Sequence, residues 1–539
     1  MDLLARAKGK KYTTHDVVGV GPRLVTGILE YSGLNSALET YERIISEPYI
    51  LEEYSIIFLS AMSTDKGALE NILRKIREHN REAIVFLGGP VSVEYYSLLK
   101  DYSDKIDYIV VGEAENTLYK LFTEYASEVV SRDYSSLTSV KGLAFRDRDR
   151  TVFTGFPPYT SYKELNTIKP YTRIDRVYKK PWTYRIYVEV LRGCSNYCRP
   201  RISLRRKGKC IECGKCISQN LIDRLYCPKG IPPGCGFCSV PLFFGPPRTR
   251  SIEAIVEEIR ELIRHGARRI VLSAPDFLDY GREFSVWPKP LTNPCQPPSV
   301  NYSALELLFE RIHEIPEVYS GEVIVSIENI KACLVDEKIA RILGKYVKNT
   351  TVHIGLETCS DNYNYRVLGK PISRASVYRA VELLRKHGLR PYVYLVYGLP
   401  YMSRNVYLET IKRTRELYSL GVEKITLYKF IPLPLTAFEF HKPGLEYKTE
   451  INRLKRVVAR YNILAKKKYF LNKTVKAYIV YSHGRLYGYP VNHGPVIFVK
   501  NKYGDKAREL DGALASVRVV GVRERYVIGE IKGVIKRYK

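Results

Sequence analysis

Eight of the eleven cysteines fall in one short stretch (Cys194, Cys198, Cys210, Cys213, Cys216, Cys227, Cys235 and Cys238), and nothing else in the chain is so committed to one chemistry. The run Tyr-Arg-Ile-Tyr-Val-Glu-Val-Leu-Arg-Gly-Cys (184–194) is β-branched and aromatic, partly alternating, and ends at a glycine. It predicts a strand that delivers Cys194 to a loop. At the far end, Pro-Pro-Gly-Cys-Gly-Phe-Cys (232–238) has the Cys-x-x-Cys spacing that lets two thiolates reach one metal centre from a tight turn. The N-terminus lacks the apolar core of a secretion signal and no long apolar run occurs, so a cytoplasmic location with no membrane partner is expected. In that compartment clustered cysteines are more often metal ligands than disulfides.

At 539 residues the chain exceeds one ordinary core, and several domains are expected. A net charge of +29 favours a polyanionic partner, most simply nucleic acid, against the general basicity of a thermophile protein. Three methionines and two glutamines (Gln219, Gln296) fit a hot organism.

The periodicities give an α/β fold class in three parts. Residues 1–130 alternate strands (55–60, 83–90, 108–115) with helices such as Lys66 to His79, which predicts a Rossmann-like parallel sheet. Residues 131–183, with short strands and Pro157, Pro158, Pro170 and Pro181, read as a linker that wraps toward the next domain. From 184 to 445, strands at 184–192, 269–274, 322–328, 351–357, 391–398 and 424–430 alternate with amphipathic helices, as in a partial (βα)6 barrel with active groups on the loops after the strands. A helical connector (446–472) leads to 473–539, where short alternating runs predict a small five-stranded β-barrel of the oligonucleotide-binding type.

Several of these segments resemble known families. Leu-Gly-Gly-Pro (87–90) and Val-Val-Gly-Glu-Ala-Glu (110–115) resemble the cobalamin-binding-like domain that precedes many radical S-adenosylmethionine enzymes. No Asp-x-His-x-x-Gly segment occurs there, so no histidine ligand to cobalt is predicted, and the domain serves either cobalamin or scaffolding. Arg-Gly-Cys194 and Cys235-Gly-Phe237-Cys238 resemble the two ends of the Cys-x-x-x-Cys-x-x-Cys motif of the radical S-adenosylmethionine superfamily, split here by forty residues (195–234). The resemblance implies that Cys194, Cys235 and Cys238 hold a catalytic 4Fe-4S cluster whose fourth iron is chelated by the amino and carboxylate groups of S-adenosyl-L-methionine. A rival assignment puts Cys227 or Cys198 in place of Cys194. Val352-His-Ile-Gly355-Leu-Glu357, Tyr-Arg-Val-Leu-Gly-Lys (365–370), Val396-Tyr-Gly-Leu-Pro400 and Phe430-Ile-Pro-Leu-Pro-Leu-Thr436 follow in that family's order. They imply cofactor contacts from Phe237, Gly355 and Glu357, with Asp276 and Glu328 as further candidates at strand ends. The C-terminal segment, with Gly504-Asp505 before its later strands, is similar to the TRAM domain of tRNA methylthiotransferases.

Inside the insertion, Cys210-x-x-Cys213-x-x-Cys216 followed by Cys227-Pro resembles the bacterial ferredoxin pattern, which implies a second 4Fe-4S cluster; a four-thiolate zinc site is the alternative, and Cys198 is an alternative ligand. The segment is also basic, with Arg199, Arg201, Arg205, Arg206, Lys207, Lys209, Lys215, Arg224 and Lys229 against Glu212 and Asp223. Together these resemblances imply a radical S-adenosylmethionine enzyme that transfers a methyl or methylthio group to a nucleoside in RNA, with tRNA the first candidate and ferredoxin or flavodoxin as electron donor. A protein or small-molecule methyltransferase and a non-catalytic iron-sulfur carrier are the other readings.

Overall fold

The computed structural model describes residues 1–3, 6, 7, 10, 11, 16–500 and 503–538. These form two compact units, one of residues 1–188 with 250–267, the other of 189–249 with 268–539.

The first unit is built on a five-stranded sheet in sequential order. Ile56–Ser60, Ile84–Gly88 and Tyr108–Val110 are parallel, and Leu143–Asp147 and Arg150–Phe153 extend them as an antiparallel hairpin. Residues 131–183 are therefore not simply a linker. Buried Leu143, Ala144 and Phe145 complete the sheet, and Arg148 takes the left-handed conformation (φ 52°) that the tight turn needs. Alternation splits the central strand between two cores. Val85 and Leu87 pack with Leu69, Ile72 and Ile76 of the helix Lys66–His79, while Ile84 and Phe86 pack with Leu118 and Leu121 of the helix Ala114–Glu124. Each such buried side chain contributes about 1.5–3 kcal/mol.

This unit also holds the helix Ile252–Arg264, which the sequence pattern assigns to the barrel. A buried carboxylate ties it there. Glu258 accepts from Arg23 Nη2 at 2.8 Å and from Arg250 Nη1 at 2.7 Å, and Arg23 Nη1 also donates to the Tyr171 carbonyl. At Gly27 an added Cβ would lie 2.0 Å from the Lys169 carbonyl oxygen, so only glycine lets the helix Val20–Tyr31 approach that chain so closely.

In the second unit Arg269–Ser273 pairs in parallel with Ile324–Ile327, and Asn329–Ile330, Thr351–Glu357, Arg390–Tyr397 and Lys424–Lys429 form a parallel four-stranded sheet. The strand expected at 322–328 thus becomes two, broken at Glu328, whose carbonyl takes the His353 amide. The helix Lys448–Phe470 leads to a closed barrel of Thr474–Ser482, Arg485–Pro490, Ile497–Val499, Leu514–Val522 and Val527–Lys536. Arg269 and Arg390 fasten the barrel to the sheet by donating to the carbonyls of Pro490, Asn492 and His493. Among the described residues no helix is long and apolar enough to cross a membrane.

Candidate metal centre and active site

The split cysteine motif closes in space. Gly234 N donates to the Cys198 carbonyl at 2.8 Å, so the chain leaves and re-enters the insertion at one point. Asn196 joins the two ends of the motif: its amide N–H points at Cys194 Sγ (3.4 Å), and its side-chain Nδ2 donates to Cys235 Sγ (3.3 Å) and to the Gly369 carbonyl (3.1 Å). Cys238 N donates to the Cys235 carbonyl at 2.8 Å, the tight turn that Cys-Gly-Phe-Cys predicts. Gly236 is gripped from both sides, its N–H on the Leu368 carbonyl and its carbonyl on Phe438 N, and an added Cβ would press on the Phe438 ring at 2.7 Å. Phe237 is half-buried.

Burial pushes the Cys194 thiol up to about 11 and the Cys238 thiol to about 12, the latter helped by Cys235 and Cys194 beside it. Such thiols lose their protons when a metal takes them, so a metal bound here would release protons on binding. Three soft thiolates brought together from one loop suit an iron-sulfur cluster.

The segment 365–370 packs directly on this loop. The helical turn Tyr363–Val367 is held by Asn364, which donates to the carbonyls of Leu356 and Thr358, and it ends at Leu368 and Gly369, whose carbonyls receive Gly236 and Asn196. Lys370 then reaches Glu357. Glu357 sits at a register shift of its strand with φ 66°, a conformation that costs about 1–2 kcal/mol in a residue with a Cβ. A Cβ at Gly355 would lie 2.5 Å from both Glu357 Oε1 and Lys370 Nζ, so Gly355 makes room for that pair. Burial opposes the Lys370 charge, but Glu357 and then Cys235 outweigh it and raise its pKa.

Asp276 is not an open carboxylate at a strand end. It is buried, with Oδ2 2.8 Å from Lys331 Nζ and Oδ1 accepting the Lys331 amide, so its acceptors are already taken by a cation of this chain. Lys331 Nζ also donates to Asp279 (2.6 Å) and Ser195 Oγ (2.9 Å), the neighbour of Cys194, and Arg282 pairs with the other Asp279 oxygen. Burial works against the Lys331 ammonium, and Asp276 and Asp279 overcome it, raising its pKa; Asp276 is raised by its burial and Asp279 lowered by the two cations. Glu328 is half-buried at its strand break. Lys331 and Asn196 follow no pattern readable in the chain, whereas Lys370 closes the quoted motif.

Near this network, Glu283 accepts the Thr249 amide at 2.6 Å, and burial raises its pKa from 4.5 to about 7. Its folded pKa exceeds its unfolded one, so its contribution to stability is full below pH 4.5 and is lost as pH rises through 7. Glu283→Gln keeps the acceptor and removes the charge. Denaturation midpoints are expected to show little change at pH 5 and a gain of up to about 2–3 kcal/mol at pH 8.

The inner cysteines separate from the outer three. Cys210, Cys213, Cys216 and Cys227 line one cavity of about 70 Å³ with Arg199, Arg201, Tyr226 and Ile231. Among the described residues no three Cys, His, Asp or Glu groups converge on a single-ion site. Cys198 is not in this wall. It is buried with Sγ 3.8 Å from Arg224 Nη1, and its thiol, pushed up to about 11 by burial, feels both Cys216 and Cys235. The basic side chains divide likewise: Arg199 and Arg224 are buried on backbone carbonyls, while Lys209, Lys215 and Lys229 are exposed. Two cysteines outside the stretch, Cys295 and Cys333, form a disulfide that the cytoplasmic expectation does not foresee.

In the first unit, a cavity of about 350 Å³ runs along the edge strand Ile56–Ser60, from Tyr54 and Ser55 before it to the C-terminal ends of the parallel strands at Ser60, Gly88, Gly89 and Gly112, with Thr26 and Leu29 in its wall. A Cβ at Gly89 (φ 86°) would lie 2.6 Å from the Ala61 carbonyl oxygen. Its size and mostly apolar walls suit part of an organic cofactor, and among the described residues no histidine lines it.

Residues 27–122 match the B12 binding domain family and residues 226–414 the radical SAM superfamily. An uncharacterized protein of Methanopyrus kandleri is 36% identical over 549 residues, covering 99% of this chain and 96% of its own. The ribosomal protein uS12 methylthiotransferase of Chlamydia abortus is 25% identical over 390 residues, 66% of this chain and 75% of its own. Among solved structures, a radical S-adenosylmethionine methyltransferase from Kitasatospora setae, with cobalamin and a [4Fe-4S] cluster bound, shares the fold at 14% identity (TM-score 0.57, covering 79% of this chain and 75% of that one). The chain, with the Methanopyrus protein, belongs to the radical S-adenosylmethionine superfamily and carries a B12 binding domain.

Proposed function

We propose that this radical S-adenosylmethionine enzyme methylates a nucleoside in RNA, with tRNA the first candidate, and that Cys194, Cys235 and Cys238 hold its catalytic cluster. A cluster bound there would supply the electron that splits the sulfonium of S-adenosylmethionine. The chain's own residues then have distinct tasks. Asn196 and Gly236 fix the cysteine loop, Glu357 with Lys370 presents a carboxylate and an ammonium beside Cys235, and Lys331 fixes the loop of Asp276 against Ser195. Glu357 is the residue proposed to meet the bound cofactor's methionine group.

The observation that carries methyl rather than methylthio transfer is the cavity at the strand ends of the B12 binding domain, in a unit with no cysteine from which to hang a sulfur-donating cluster. The same cavity supports cobalamin as the methyl carrier, held without a histidine. For the inner cysteines the reading is a second iron-sulfur cluster on Cys210, Cys213, Cys216 and Cys227. A zinc about 2.3 Å from each thiolate fills the space between its ligands, whereas these four surround a cavity of about 70 Å³.

RNA is supported by the charge of +29 and by the small closed barrel. Mass spectrometry of tRNA nucleosides from cells with and without the gene tests it: one nucleoside is expected to become lighter by a methylene, and an unchanged nucleoside profile rejects RNA as substrate. The uS12 methylthiotransferase relative favours a second reading, modification of a protein side chain. That reading predicts an unchanged nucleoside profile and a mass shift in a ribosomal protein instead.

A further inference from the structure

The positive charge is unevenly placed. Residues 451–504 hold twelve lysines and arginines and no aspartate or glutamate. The first part of that run is the helix Lys448–Phe470, which buries Ile451, Leu454, Val458 and Ala465 along one face. On the opposite face Arg453, Arg456, Arg460 and Lys467 are all exposed, at spacings of three, four and seven residues that stack them in one straight row. At 1.5 Å of rise per residue the row is about 21 Å long. Among the described residues none of the four makes an ion pair, and the one acid of the helix, Glu450, is held by Arg404 at 2.7 Å. Exposed cations on other helices are neutralised, Arg74 by Glu78 and Lys386 by Glu337.

The row leads to a second feature. Lys466 Nζ donates to the Glu524 carbonyl at 2.8 Å, which fastens the end of the helix to the turn 523–526 of the closed barrel. Arg523 and Arg525 are exposed there. Tyr526 lies against Phe498, with ring centroids 4.2 Å apart, and Phe498 against Tyr487 at 4.9 Å. Leu486, Ile497 and Val499 fill the barrel core, so alternation turns Tyr487 and Phe498, partners across their strands, outward. All three rings are half-buried.

Protein surfaces intersperse charges of both signs, whereas one strand of a nucleic-acid duplex presents about six phosphates in 21 Å. An uninterrupted, unneutralised row of that length matches the second, and half-open rings beyond its end match unpaired bases. We infer that the helix Lys448–Phe470 is a rail for the phosphate backbone of an RNA, and that the turn and rings beyond it take the unpaired bases that follow. The inference rests on the reading that the substrate is RNA. It adds where that RNA lies, and it assigns most of the ionic grip to the helix before the barrel.

The test uses full-length reconstituted protein and filter binding to bulk tRNA, in salt from about 50 to 200 mM. R453Q/R456Q/R460Q/K467Q removes the row and keeps helix-forming side chains. R81Q/K100Q/K163Q/K179Q removes the same charge from exposed sites of the first unit. Loss of four phosphate contacts is expected to flatten the slope of log K against log salt by about three and to weaken binding about 10- to 100-fold at the low-salt end. The control is expected to stay within about threefold of wild type. Tyr526→Ala is expected to weaken binding of an unstructured oligouridylate about 10-fold, with the salt slope unchanged. Equal losses in the two quadruple variants, or an unchanged slope in the first, overturn the rail, and an unchanged oligouridylate affinity overturns the base platform. Poly-glutamate that binds as tightly as tRNA and is lost in the same row variant makes the row a site for an acidic protein instead. Should the row variant fold poorly by circular dichroism, R453Q/R456Q and R460Q/K467Q are each expected to take about half of the change in slope. The nucleoside profile of cells lacking the gene is read separately. A changed profile with intact tRNA binding by the row variant overturns the rail alone, while an unchanged profile with binding lost in that variant keeps the rail and rejects RNA methylation.

Discussion

Cys194→Ala is expected to cost the protein about four irons per chain and to abolish reductive cleavage of S-adenosylmethionine to 5'-deoxyadenosine, while the inner site keeps its metal. The proposed assignment predicts this outcome, and what supports it is that Cys194 is tied through Asn196 to Cys235 and Cys238 bonds back to the Cys235 carbonyl. Cys227, which the rival assignment would use, lies in the other cavity with Cys210, Cys213 and Cys216. Cys227→Ala should therefore spare the cleavage reaction driven by a small chemical reductant. Iron analysis with quantification of 5'-deoxyadenosine checks both variants, and loss of cleavage in Cys227→Ala with retention in Cys194→Ala would reverse the assignment.

The second large effect is expected at Lys331. Lys331→Met leaves Asp276 and Asp279 buried with Arg282 as their one remaining cation, and stranding buried charge costs about 3–5 kcal/mol. The loss should depend on pH. Without Lys331 the Asp276 carboxyl rises further, so its proton is kept to higher pH in the folded than in the unfolded chain; stability then falls as pH rises through that range, and the variant is least impaired in acid. Chemical denaturation at pH 5 and pH 8 measures it. Lys331→Met/Asp276→Asn should recover part of the stability, since the stranded charge is gone.

Much of the fold was legible because its elements carry strong periodicity. The helix Lys66–His79 and the strands Ile56–Ser60 and Ile84–Gly88 lie where apolar spacing puts them. Short strands were legible in this segment, but not that two of them complete the sheet as a hairpin, because Arg-Asp-Arg-Asp-Arg (146–150) fills the turn and the strand ends beside it and reads as a polar connector. The strand Arg485–Pro490 was hidden by Gly488 and Pro490, tolerated there because Gly488 lets Ile497 and Ala477 pack closely and Pro490 ends the pairing. In the site, the cysteines, Gly355 and Glu357 stand out in the sequence because their patterns are local. Lys331 and Asn196 could not, because their roles exist only after strands distant in sequence are side by side. Asp276 shows the same limit from the other side, since position suggested a free carboxylate and the fold gave it a lysine.

The joint at Cys198 and Gly234 has a broader consequence. A loop whose ends already meet pays only about 0.6 kcal/mol for each doubling of its length, so the chain can carry a whole extra module between Cys198 and Gly234 without parting the residues on either side. Linear spacing is then a poor signature of kinship. A pattern search demanding the whole of Cys-x-x-x-Cys-x-x-Cys would pass over this chain, because Arg201 stands where the third cysteine would follow Cys194 and Cys198.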